Sequence, residues 1–135
     1  MTVKTTPRTL VVSTILLLVS GTVWAHHAML ADFALDKPIT LKGTVTKMEW
    51  KNPHGWIYLD VKRDDGKVEG WAIETGNPFR MGKGGLKKTD FQPGTQVIVG
   101  AFAAKDGGHT AAGWIVAFPD REKFPDQQAS FTLGR

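Results

Sequence analysis

Cysteine is absent from this chain, and its absence excludes several classes of protein at once. Without cysteine there are no disulfides, no thiolate metal ligands, no cysteine nucleophile and no site for lipoprotein attachment. The fold must therefore be stabilised by a packed core. Any metal ligands must be histidine, aspartate, glutamate or backbone groups.

The chain also lacks a long apolar run and a large net charge. The longest apolar run, residues 10–19, is shorter than the ~20 residues that an α-helix needs to cross a bilayer. The formal net charge is only +4, and the basic residues Lys4 and Arg8 precede that run. Because no long run of lysine and arginine remains in the rest of the chain, we expect no nucleic-acid partner.

Residues 1–25 have the layout of a secretory signal peptide. Lys4 and Arg8 form its basic start, the apolar run follows, and Val23 and Ala25 occupy positions −3 and −1 from a cut after Ala25. We predict that the segment is cleaved, that the mature protein is periplasmic, and that no stable membrane anchor remains after cleavage. An uncleaved N-terminal anchor is the alternative.

The rest of the chain alternates between apolar and polar residues, as strands do. A long first strand is predicted at residues 39–50, and its buried face changes parity near Lys47-Met48, which indicates a bend or bulge. Four further strands are predicted at residues 56–62, 67–74, 96–103 and 109–118. Asn77-Pro78 predicts a short helical segment, because asparagine is a common N-cap and proline favours the first helical position.

This order of elements predicts an all-β fold with one short helical segment, in the form of a small five-stranded OB-like Greek-key barrel. An open five-stranded meander is the alternative. We predict one domain at residues 26–124, which includes an N-terminal arm. A polar and poorly ordered C-terminal tail is predicted at residues 125–135.

A set of short stretches along the chain points to one known protein family. The stretches are Ala25-His26-His27, residues 37–45, Glu49-Trp50, Asn52-Pro53-His54, residues 71–74, Pro93-Gly94 and residues 104–107. Together they resemble a family of small secreted bacterial proteins, domain of unknown function 6152, over essentially the whole chain after the leader. The resemblance implies a periplasmic OB-like β domain whose function is unassigned. The chain departs from the family pattern at Ala28, where we expect serine, and at the glycine-rich residues 81–86.

His26, His27 and His54 are the candidate metal ligands. After removal of the leader, His26 would carry a free α-amine beside its imidazole, and these two groups form a chelating pair. An imidazole from His27 or His54 would complete a set of nitrogen ligands, and Asp32 or Glu74 could add an oxygen. Such nitrogens suit Cu(II), Zn(II) and Ni(II), and Cu(II) heads the affinity order. The other interpretation is that these histidines are ordinary solvated side chains.

Trp56 and Tyr58 indicate a different kind of binding. Both occupy the outward parity of the predicted second strand, and OB barrels often bind oligonucleotides or oligosaccharides on that face. Stacking on these rings would suit an oligosaccharide or another small ligand. The alternative is that the two rings only provide buried surface.

No combination of residues typical of a catalytic site is present. Asp60, Glu74 and Asp106 are dispersed acids, and His109 is expected to be a plain surface histidine. The sequence therefore predicts a periplasmic, non-enzymatic binding protein. A divalent metal, copper first, is its expected ligand, and a small-ligand site on the aromatic face is the alternative.

Overall fold

The computed structural model describes residues 31–119 and 130–133. The chain divides into two units, Met1–Asp32 and Phe33–Arg135. In the first unit the described residues are Ala31 and Asp32, which are exposed and helical. The predicted signal peptide lies outside the described residues.

The described part of the second unit consists mainly of strands. In chain order its elements are β1 (Phe33–Glu49), β2 (Trp56–Lys62), β3 (Val68–Glu74), helix α1 (Pro78–Lys83), a 3-10 turn (Lys88–Phe91), β4 (Gln96–Ala104), β5 (Thr110–Ala117) and β6 (Ser130–Thr132). This composition confirms the prediction of an all-β fold with one short helix. No helix among these residues is long and apolar enough to span a bilayer.

The first five strands pair into a closed ring. β1 pairs antiparallel with β2 and with β4, β2 pairs with β3, and β4 pairs with β5. A parallel pairing of β3 with β5, in which Ile73 lies opposite Ala111, closes the ring. Closure pairs the strand edges that an open meander would leave free. The ring therefore excludes the open meander. Along the chain, three strands, a helical connection and two strands follow one another, as predicted for an OB-like fold.

β1 is the longest strand of the ring, and its pairing is irregular. Its register with β2 shifts between Val45 and Lys47, which confirms the bulge predicted from the change of parity. The strand also begins earlier than the sequence analysis predicted, at Phe33, which is buried and pairs with Ala104 of β4. Part of the predicted N-terminal arm is therefore a strand of the ring.

The connection between β3 and β4 packs against the core through α1. Asn77 caps this helix by accepting a hydrogen bond from the Arg80 backbone N–H at 2.9 Å, and Pro78 is its first residue, as predicted. The side chains of Met81 and Leu86 are buried. The Leu86 backbone N–H donates to the Met81 carbonyl at 3.1 Å, which ties the segment after the helix to its last turn.

The core combines apolar side chains from the ring strands and from the helical connection. Its members are Leu41, Val45, Ile57, Leu59, Ile73, Met81, Leu86, Phe91, Val97, Val99, Ala101, Ala111, Val116, Phe118 and Leu133. Ile57 and Leu59 lie inside, as the alternation in β2 predicts. Outward positions of the same strand are therefore available for a binding surface.

The prediction of a poorly ordered C-terminal tail is wrong for residues 130–133. β6 pairs antiparallel with β5, and Leu133 directly after it is fully buried. Gly113 leaves the space for this side chain, since a Cβ at Gly113 would lie 2.7 Å from Leu133 Cδ1. A strand of three residues is too short to show alternation, which is why the sequence pattern missed it.

Candidate functional site

The turn between β1 and β2 is fastened to the residues that follow β3. The Gly55 N–H donates to the Gly76 carbonyl at 3.1 Å, and the Thr75 N–H donates to the Gly55 carbonyl at 2.9 Å. A Cβ at Gly55 would lie 2.7 Å from Thr75 Oγ1, so glycine permits this close approach. The turn thereby holds His54 beside Glu74, the last residue of β3.

His54 and Glu74 form a carboxylate–histidine pair. His54 Nδ1 contacts Glu74 Oε1, and the imidazole stays 51% exposed while the carboxylate side chain is 15% exposed. An imidazole that donates its Nδ1 proton to a carboxylate keeps the Nε2 lone pair available, and such pairs orient histidines that ligate metals. Of the two acids predicted as oxygen ligands, Asp32 and Glu74, the structure places Glu74 at His54.

The other two predicted metal ligands, His26 and His27, lie outside the described residues. Within residues 31–119 and 130–133, no three or more histidine, aspartate or glutamate side chains come together in a group that could hold a metal ion. Of the three predicted metal ligands, the described part of the chain contains His54, which contacts Glu74.

Trp56 lies on the outer face of the ring, at the centre of a row of side chains. It is half-buried, and it pairs in register with Glu49 of β1 on one side and with Glu74 of β3 on the other. The carboxylate partner of His54 is thus the cross-strand neighbour of the predicted stacking residue. Glu74 therefore contacts the candidate metal ligand His54 and pairs with Trp56 of the aromatic face.

Tyr58 continues the aromatic face along β2. The Lys47 Nζ lies over the Tyr58 ring, 5.1 Å from its centroid, and makes a cation–π contact. On its other side Tyr58 pairs with Ala72 of β3. Gly70 lies two residues before Ala72 on the same face of β3, and a Cβ at Gly70 would meet nothing within 4 Å. Tyr58 therefore stands beside the small residues Ala72 and Gly70, whereas Trp56 stands beside Glu74.

Glu49 is held between two lysines, an arrangement that the sequence analysis missed. Lys47 Nζ lies 2.6 Å from Oε1 and Lys51 Nζ lies 2.5 Å from Oε2. Hydrogen bonds from Lys47 and then Lys51 lower the pKa of Glu49 to about 2. The spacing of Lys47 and Glu49 in β1 was the available signal, because residues two apart in a strand share a face. Lys51 follows the end of the strand.

The titration of Glu49 gives a direct test of this arrangement. Its pKa is about 2, below the ordinary 4.5, so its ionisation stabilises the fold above pH 4.5 and that contribution is lost as the pH falls toward 2. We expect the Glu49 carboxyl carbon to titrate near 2 by NMR. In a K47Q/K51Q variant the midpoint should move back toward 4.5. A midpoint near 4.5 in the unmodified protein would contradict the arrangement.

His109 lies in a separate cluster, and its contacts there are structural. Its ring stacks on Trp71 with centroids 5.0 Å apart, and its Nε2 lies 3.7 Å from Glu69 Oε1. Glu69 also accepts hydrogen bonds from Arg63 at 2.6 Å and from Trp71 Nε1 at 3.3 Å. The Arg63 hydrogen bond is the main reason that the pKa of Glu69 is lowered. His109 is exposed, as predicted for a surface histidine, and the stack on Trp71 accounts for its position.

Comparison with known proteins identifies the family and nothing narrower. No curated protein and no solved structure matches the chain. The sequence model of a family of unknown function, DUF6152, matches residues 14–113, and the description of that family names no enzymatic activity. Because this match covers well over half of the sequence, the chain belongs to the DUF6152 family.

Proposed function

We propose that this protein is a periplasmic, non-enzymatic binder of a divalent metal ion, with copper as the first candidate and zinc as the second. The proposed ligands are the imidazoles of His26, His27 and His54. The observation that carries the proposal is the contact between His54 Nδ1 and Glu74 in the turn between β1 and β2.

The His54–Glu74 pair supports the proposal through its geometry. A carboxylate at Nδ1 fixes the tautomer and the orientation of the ring. The partly exposed imidazole leaves Nε2 as the nitrogen that would bind a metal. The carboxylate of Glu74 is mostly buried, so the fold holds the partner that orients the His54 ring.

The choice of copper rests on the ligand set. Three imidazoles, together with the α-amine that cleavage before His26 would expose, are nitrogen donors, and the chain has no thiolate to favour another metal. Cu(II) binds such nitrogen ligands more tightly than the other common divalent ions.

A metal titration with three variants tests the part played by His54. We expect H54A and E74Q each to weaken Cu(II) binding by about tenfold or more, since loss of an outer-shell partner alone costs about 10–100-fold. H109A is the matched control, because His109 is also exposed and also contacts a glutamate. Its affinity should stay unchanged. Equal affinities in all four proteins, measured by isothermal titration, would exclude His54 as a ligand.

The aromatic face supports a second candidate function, the binding of an oligosaccharide or another small ligand. Tyr58 pairs with the small residue Ala72, and a Cβ at Gly70, two residues before Ala72 on the same face of β3, would meet nothing within 4 Å. OB-like folds often bind ligands on this face.

The double variant W56A/Y58A separates binding from packing. If the rings stack a ligand, a glycan screen should show binding that is lost in the variant, while the free energy of unfolding falls by less than about 2 kcal/mol because both rings are only half-buried. If the rings are structural, the variant should lose more stability than that and no glycan should bind the unmodified protein. Thermal unfolding measured beside the screen distinguishes these results.

A further inference from the structure

The connection between β3 and β4 exposes one phenylalanine beside several cations. Phe79 in α1 is 70% exposed, whereas Met81 in the same helix is fully buried. With about 100° per residue, Phe79, Arg80 and Lys83 fall on one side of the helix and Met81 on the opposite side. Burial of Met81 therefore turns Phe79 and its two basic neighbours toward solvent.

The exposed charged residues that follow Phe79 in the connection between β3 and β4 are all basic. Arg80, Lys83, Lys87 and Lys88 are exposed. The one acid in the sequence between residues 77 and 92 is Asp90, which is buried and accepts a hydrogen bond from the Lys87 backbone N–H at 2.7 Å. We call Phe79 together with Arg80 and Lys83 the Phe79 surface; Lys87 and Lys88 add positive charge to the segment that follows α1. Its charge complements an anionic partner.

The Phe79 surface is held in place by the fold. The Asn77 cap fixes the start of α1, and Met81 and Leu86 anchor the helix and the following segment in the core. Lys83 Nζ lies 5.0 Å from the centroid of the Phe79 ring, so a cation and the aromatic side chain are presented together. An exposed aromatic side chain on an anchored segment costs hydration free energy that contact with an apolar layer would recover.

We propose that the Phe79 surface makes reversible contact with an anionic lipid bilayer. Arg80 and Lys83 would lie at the phosphate headgroups, and Phe79 would enter the boundary between headgroups and acyl chains, as aromatic side chains of interfacial helices do. Each cation near an anionic surface strengthens binding by about fivefold. A nucleic acid is a poorer fit, because single-stranded recognition stacks successive bases on several rings in a groove, and here one ring protrudes.

Vesicle co-sedimentation tests this proposal with the full chain. The probes are vesicles of phosphatidylcholine alone and of phosphatidylcholine with an equal part of phosphatidylglycerol. F79S removes the apolar side chain, and R80Q/K83Q removes two cations. The matched controls are V68S, since Val68 is 60% exposed on β3, and K42Q/K67Q, which removes two exposed charges elsewhere. Thermal unfolding of each variant verifies that the fold is retained.

We expect binding to the anionic vesicles that weakens with added salt. R80Q/K83Q should lower the partition coefficient by about 25-fold, and F79S by about tenfold. The two controls should change it by less than about twofold. Equal losses in R80Q/K83Q and K42Q/K67Q, or full binding by F79S, would overturn the proposal. Binding to a DNA duplex without binding to anionic vesicles would also overturn it and would assign the surface to nucleic acid.

Discussion

A protein with one extra residue ahead of His26 is expected to bind Cu(II) more than about a hundredfold more weakly than a protein that begins at His26. The extra residue moves the α-amine out of the chelate ring with the His26 imidazole. Loss of a direct ligand should exceed the 10–100-fold cost of losing an outer-shell partner. Isothermal titration gives the affinities, and paramagnetic resonance counts the nitrogen ligands.

The pH dependence of the Cu(II) affinity is the control for this experiment. An α-amine has a reference pKa of ~7.7–8.0 and must lose its proton to bind a metal. Affinity should therefore fall as the pH drops below neutral in the protein that begins at His26, and less steeply in the extended protein. If both proteins bind Cu(II) equally at every pH, the terminal amine is not a ligand, and the aromatic face becomes the leading candidate site.

Replacement of Leu133 by alanine is expected to lower the free energy of unfolding by about 2–5 kcal/mol, the range for a fully buried leucine. The side chain is wholly buried in the main core, and its Cδ1 lies close to Gly113 of β5. The backbone N–H of Leu133 also donates to the Trp114 carbonyl at 3.0 Å, which holds the end of β6 against β5. The measurement is chemical unfolding followed by tryptophan fluorescence.

Thr132 provides a neighbouring control for Leu133. It belongs to β6 but is exposed, so T132A should change the free energy of unfolding by less than about 0.5 kcal/mol. A deletion of residues 130–135 should destabilise the protein at least as much as L133A. If L133A costs no more than T132A, the last strand does not contribute to the stable fold.

The fold was largely predictable because its signals are local. Alternation in residues 56–62 placed Ile57 and Leu59 inside, and the change of parity near Lys47 predicted the shift of register between β1 and β2. Asn77-Pro78 predicted the start of α1. Each of these features depends on residues a few positions apart, which a periodic pattern or a capping residue records directly.

The candidate site was only partly predictable. His54 and Glu74 were both named as possible metal ligands, but the spacing of two residues twenty positions apart carries no information about contact. Their pairing depends on the register of β2 with β3 and on the close approach of Gly55 to Thr75. The lysines on Glu49 and the stack of His109 on Trp71 were not foreseen, because long side chains choose partners by tertiary geometry.

The sequence by itself determined the all-β class, the inward face of β2, the position of α1 and the residue types that could ligate a metal. Tertiary structure decided the closure of the ring through β3 and β5, the use of residues 130–133 as a sixth strand, and the contact of His54 with Glu74. The physical reason is that hydrophobic periodicity is set by neighbouring residues. Strand pairing and buried contacts depend on residues far apart in the chain, which only packing brings together.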